Sequence, residues 1–145
     1  MSVLVKYWQE ERIPILNGII FPDGAVWPVH PVDAPRDSPL RLRIREDEQA
    51  TLGDDTEWTS CSPLMEAANI DLGLKAVVGE CGMGGDGYVA LLENLGNRIR
   101  WIAFFDFSNP FEHVSLEVNQ VVAKNNLGES WIIPIEAKGV IEVRS

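Results

Sequence analysis

The chain is poor in the residues that most often carry chemistry or cross-links. Its 145 residues include two cysteines, Cys61 and Cys81, and two histidines, His30 and His113. Two cysteines do not make a disulfide framework, which excludes the small cross-linked scaffolds. They read as two buried or half-buried thiols, the alternative being a single bridge that closes the intervening loop. With no close-spaced ligand pair such as C-x-x-C, no structural zinc site is visible. His30 and His113 lie far apart in unrelated contexts, so no Ser-His-Asp or Cys-His pair stands out. The expectation is therefore no catalytic residue, no cofactor and no metal. Long apolar runs are also missing: nothing approaches the roughly 20 residues that cross a bilayer. Met1 to Glu11 reaches Glu10 and Glu11 at once and lacks the apolar stretch of a signal peptide. The default location is the cytoplasm of the producing cell.

Basic residues are scarce as well, 12 against 22 acids, for a net charge of −10. The imbalance is local. Residues 1–45 hold five acids and six bases, residues 46–73 hold eight acids and no base, and residues 74–145 hold nine acids and six bases. A field of this sign repels nucleic acid and anionic membranes and attracts a basic protein. Glu46, Asp47, Glu48, Asp54, Asp55 and Glu57 are thus the candidate partner-binding residues. The plain alternative is a solvated loop whose charge serves solubility.

Apolar residues make up 46% of the chain, enough for a core and unlike a disordered segment. The length suits one domain, residues 1–145. Helical periodicity is scarce, while period-two alternation and turn signals are common. Val3, Val5 and Tyr7 alternate with Leu4, Lys6 and Trp8, predicting a first strand. Ile13 to Phe21 predicts another, ending at the turn Pro22-Asp23-Gly24. Pro28 and Pro31 assign the resuming arm, Val26 to Val29, to an edge strand or a strand end. Residues 31–39 read as a loop. Leu40 to Arg45 alternates apolar and arginine positions. Ser62 to Ala68 carries helix-start features, a capping serine and then Pro63, so a short helix is predicted over residues 62–69.

From Lys75 the pattern is a meander. Strands are predicted at Lys75–Val78, Tyr88–Glu93, Ile99–Phe105, Glu112–Val118, Val121–Lys124, Ser130–Ile135 and Val140–Val143. Asn94-Leu95-Gly96 and Asn126-Leu127-Gly128 supply turns. Trp27 and Trp131 follow a turn glycine by three residues and Trp101 by five, so all three share a parity and a sheet face. The predicted fold is mainly β, an antiparallel meander of hairpins forming a sandwich or partly closed barrel, with one or two short helices.

Gly82-Met83-Gly84-Gly85-Asp86-Gly87 matches G-x-G-x-x-G. A dinucleotide site needs a helix after the third glycine, and Tyr88 to Leu92 reads as a strand. A kinase loop needs a lysine on the next strand, a catalytic-loop aspartate and a metal-binding D-F-G, none of which is present, and the chain is too short. The motif therefore reads as a tight hairpin loop.

The segment from about Val77 to Val143, with GECGMGGDGYVALLE, WIAFFDFSNPF and NNLGESW, resembles small acidic immunity proteins encoded beside secreted bacterial toxins. The resemblance implies a cytoplasmic, non-catalytic module that binds and neutralises a cognate basic toxin domain; it assigns no site residues. The alternatives are a β module that binds a sugar or other small molecule through an exposed tryptophan, and a small enzyme whose site is not recognisable.

Overall fold

The computed structural model describes residues 2–35 and 38–145. Met1, Arg36 and Asp37, the last two within the predicted loop 31–39, lie outside the described residues. The chain begins with one helix, α1 (Val3–Gln9), then runs through β1 (Arg12–Pro14), β2 (Gly18–Ile20), β3 (Ala25–Pro31) and β4 (Arg41–Ile44). A 3₁₀ turn (Glu46–Glu48) and a short β5 (Ala50–Thr51) follow. The rest is β6 (Trp58–Asn69), β7 (Leu74–Cys81), β8 (Gly87–Glu93), β9 (Ile99–Phe105), β10 (Phe111–Leu116), β11 (Gln120–Asn125), β12 (Ser130–Pro134) and β13 (Val140–Arg144). All strands join one antiparallel sheet in the order β1-β6-β7-β8-β9-β2-β3-β4-β13-β12-β11-β10, with β5 beside β3. Among the described residues no helix is long and apolar enough to cross a membrane.

The sheet cannot be flat. β1 and β2 lie five strand positions apart, about 24 Å on a flat sheet. Only Ile15, Leu16 and Asn17 link them, a reach of about 14 Å. The strands from β1 to β2 must therefore curl toward each other. Ile13, Ile20, Val77, Tyr88, Ile102 and Phe104 fill that curl, and Leu4 of α1 completes it. The opposite face of β7–β9 presents Ala76, Val78, Val89, Leu91, Trp101, Ala103 and Phe105 to a second, larger core. The far strands β4 and β10–β13 line that core, and β10 packs over β6 and β7. Burial on both faces explains why Tyr88–Leu92 and Ile99–Phe105 are nearly unbroken apolar runs and not alternating ones.

The meander after residue 74 follows the predicted strands to within three residues, and β9 matches both ends. Gly96 and Gly128 close their turns at φ 82° and 80°, the left-handed region that glycine enters without a Cβ clash. Trp101 and Trp131 are buried in the larger core and Trp27 packs against it, as their common parity predicts. Trp101 donates its Nε1–H to the Ile135 carbonyl at 2.9 Å. Trp131 Nε1 is buried with no acceptor, although a buried tryptophan N–H usually finds one.

Four expectations need correction. The predicted first strand is α1. Ser2 caps it by accepting the Val5 N–H at 3.1 Å, and Leu4, Val5 and Trp8 share the helical face that meets the smaller core. The predicted helix at 62–69 is the last two thirds of β6, laddered on β7 from Ser62↔Glu80 to Asn69↔Leu74. Its register shifts between Pro63 and Met65, a bulge that accommodates a residue with no N–H to donate. Ile13 to Phe21 is not one strand but two, β1 and β2, on opposite sides of the curl. Gly18 of β2 sits so close to Trp27 O that a Cβ would not fit. Finally, β3 is not an edge strand. Pro31 ends it, but Pro28 lies inside, where the chain passes from β2 (Val26 to Pro28) to β4 (Val29 to Pro31).

Candidate functional site

The six candidate acids divide into two sets with different surroundings. Glu46, Asp47 and Glu48 form the 3₁₀ turn that leaves β4. The alternation of Leu40 to Arg45 turns the arginines away from the core, and the last of them folds over this turn. Arg45 Nε donates to Asp47 Oδ1 at 2.9 Å and its Nη2 to Asp47 Oδ2 at 2.8 Å. The same Nη2 lies 3.2 Å from Glu48 Oε1. His30 Nε2 is 2.8 Å from Glu48 Oε2, and Lys138 Nζ is 3.9 Å from Glu46. The hydrogen bonds from Arg45 hold the Asp47 carboxyl down at about 2. Much of this set's negative field is therefore answered within the chain.

Asp54, Asp55 and Glu57 are exposed, and no ion pair among the described residues engages them. Their loop is fixed at both ends. Leu52 N–H donates to Gly24 O at 2.8 Å, and Ile15 N–H to Glu57 O at 2.8 Å. Between them Gly53 N–H donates to Thr56 Oγ1 at 2.9 Å and Thr56 N–H to Gly53 O at 3.1 Å. Such a loop presents its carboxylates with little ordering cost on binding.

Asp55 and Glu57 border an open groove of about 370 Å³, whose walls include Ile15, Leu16, Val26 and Pro28. An apolar floor beside two free carboxylates suits a side chain with an aliphatic stem and a cationic head, that is, lysine or arginine. Sequence pattern does not mark the apolar half of the groove. Its residues come from the β1–β2 link and from β3, which reach the two ends of the acidic loop by pairing with β6 and β5.

A larger hollow of about 630 Å³ lies elsewhere, between α1 and the β8–β9 turn, with Val5, Trp8, Pro22, Arg98 and Ile99 in its wall. It has no acidic lining, so size alone does not make it the partner site. None of the five tryptophans is exposed: Trp101 and Trp131 are buried and Trp8, Trp27 and Trp58 are half-buried. Trp58 already stacks on Tyr7 at 4.0 Å, and Trp27 meets Phe21 at 4.4 Å.

The glycine-rich segment is the β7–β8 turn, and strand β8 follows it directly. Asp86 within it is fully buried. Asn109 N–H donates to Gly85 O at 2.8 Å, which joins this turn to the loop after β9. Asn125 extends the network, donating to Ser108 O at 2.8 Å and to Glu129 Oε1 at 2.7 Å. Among the described residues no group of three or more His, Cys, Asp or Glu side chains is placed to hold a metal ion. No family model, no curated protein and no solved structure matches this chain.

Proposed function

We propose that this chain is a non-catalytic protein-binding module, an immunity protein of the producing cell's cytoplasm that binds and neutralises a basic toxin domain. The observation that carries the reading is the contrast between the two acidic sets. Asp54, Asp55 and Glu57 stand free on an anchored loop beside an apolar groove, whereas Glu46–Glu48 are engaged by Arg45, His30 and Lys138. The free set recruits the partner through its field, which raises the association rate and weakens with salt. A lysine or arginine of the partner lays its stem on the half-buried Ile15, Leu16 and Pro28 and its head at Asp55 and Glu57. The net charge of −10 turns away nucleic acid and anionic lipid. The test uses the C-terminal domain of the secreted protein encoded immediately upstream. The reading predicts that this chain binds that domain and restores growth to cells expressing it. Absence of such a neighbour, or a domain that this chain neither binds nor neutralises, overturns it.

A second reading, a small-molecule module, draws on Trp8 in the wall of the larger hollow. Neutral sugars that quench the fluorescence of the wild-type protein but not of Trp8→Phe would favour it. No response to them would leave the acidic groove as the site.

A further inference from the structure

Cys61 and Cys81 are the only cysteines of the chain, and the β6–β7 ladder sets them directly opposite one another. Opposed residues of an antiparallel pair point to the same face of the sheet. Both belong to the smaller core, Cys61 buried within it and Cys81 half-buried against it. Opposed pairs come in two kinds, and in the kind that exchanges no backbone hydrogen bonds the Cα atoms approach to about 4.5 Å. That distance lies within the range a disulfide spans, about 4.4–6.8 Å. Cys61 is of this kind. Its N–H points away from β7 and donates to Glu11 O at 2.8 Å. The hydrogen-bonded position is the next one along, where Gly82 N–H donates to Ser60 O at 3.1 Å.

We propose that Cys61 and Cys81 are a disulfide-forming site that clips β6 to β7. Both are free thiols in this structure. The oxidant is a low-molecular-weight disulfide, for which glutathione disulfide is the probe. The thiolate of one cysteine attacks a sulfur of the probe, breaks its S–S bond and expels one glutathione thiolate, which takes up a proton. The second cysteine, once deprotonated, attacks the protein-bound sulfur of the mixed disulfide. The Cys61–Cys81 bond forms and the second glutathione leaves as its thiol. Two protein thiols are oxidised and one disulfide is reduced to two thiols.

The bond closes while the chain folds. In the folded protein, burial pushes the Cys61 thiol up to about 12 and the Cys81 thiol well above its ordinary value. Thiolate, the reactive form, is then scarce and exchange is slow. In the unfolded chain both thiols are exposed and titrate normally. A chain that folds under reducing conditions keeps its thiols, and one that folds in an oxidising compartment acquires the bridge.

The test compares two samples of the full chain. One is unfolded, reduced and refolded in a mixture of reduced and oxidised glutathione; the other is folded first and then given the same mixture. The refolded sample is expected to be lighter by two hydrogens and to yield a peptide joining Cys61 to Cys81. Its Tm should rise by about 6–12 °C, from a loop of roughly 20 residues in a chain of this size. The prefolded sample should stay reduced over the same time, and Cys81→Ser should show neither change. Export of the chain to a bacterial periplasm reads the same mass without refolding. Free thiols or glutathione adducts on Cys61 and Cys81 after either route overturn the proposal. Equally fast bridging of the prefolded sample overturns its timing.

Discussion

Arg45 grips Asp47 through two hydrogen bonds, at 2.9 and 2.8 Å, with only one residue between them in the chain. This contact divides an acidic stretch that looks uniform in sequence. The paired charges are partly offset by Arg45 and Lys138, and the unpaired carboxylates of the 52–57 loop are left to face a partner. The division can be probed residue by residue.

Removing the guanidinium should release Asp47. Its carboxyl sits near 2 mainly because Arg45 donates to it. Arg45→Gln should return it toward the ordinary carboxylate value of 3.8, read by carbon-detected NMR titration. Because the folded value is depressed, the contact stabilises the protein above the ordinary value and that contribution is lost as pH falls toward 2. Asp47 is exposed to solvent, so the effect on overall stability is small. An Asp47 that already titrates at the ordinary value in the wild-type protein would contradict the contact.

Trp101 should be the costliest tryptophan to truncate. It is buried between two β-layers and holds the Ile135 carbonyl. Trp101→Ala removes a large apolar volume and leaves that carbonyl without its donor, at a cost of about 3–5 kcal/mol. Urea denaturation measures it. An unchanged midpoint would remove Trp101 from the core.

Gly79 should not tolerate even a methyl group. A Cβ there would collide with the Ser62 carbonyl on the neighbouring strand and press on the Tyr88 ring. Neither backbone can give way without breaking the β6–β7 ladder. Gly79→Ala should cost at least about 1–3 kcal/mol, whereas Gly84→Ala, with open space around it, is limited to the strain of its φ of 95°. Equal stability of Gly79→Ala and the wild-type protein would contradict the close approach.

The meander was legible because its signals are local. Asn-Leu-Gly turns and apolar runs between them depend on residues next to one another, so β8 and β9 could be read directly. The errors lie where a distant partner decides. Ser62-Pro63-Leu64-Met65-Glu66-Ala67-Ala68 is rich in helix formers, yet β7 offers a complete ladder and tertiary pairing overrides propensity. Leu4, Val5 and Trp8 fit a helical face as well as Val3, Val5 and Tyr7 fit a strand, and the Ser2 cap tips the balance. The acids of the candidate site were visible as a run. Their division was legible only in part, because Arg45 is a neighbour in sequence whereas His30 and Lys138, which complete the pairing, are remote. The groove floor was hidden for the same reason, since Ile15 and Val26 meet the loop through strand pairs between residues remote in sequence.

The most direct test of the account compares two triple variants of equal charge change, Asp54→Asn/Asp55→Asn/Glu57→Gln and Glu46→Gln/Asp47→Asn/Glu48→Gln. Each is first shown to be folded, and then its affinity for the toxin domain encoded upstream is measured across a salt series. The first variant should bind more weakly, associate more slowly and lose much of the salt dependence, with about 2–5 kcal/mol lost for any carboxylate buried against a partner arginine. The second variant should bind nearly as the wild-type protein does. Wild-type affinity and salt slope in the first variant, or the larger loss in the second, would contradict it.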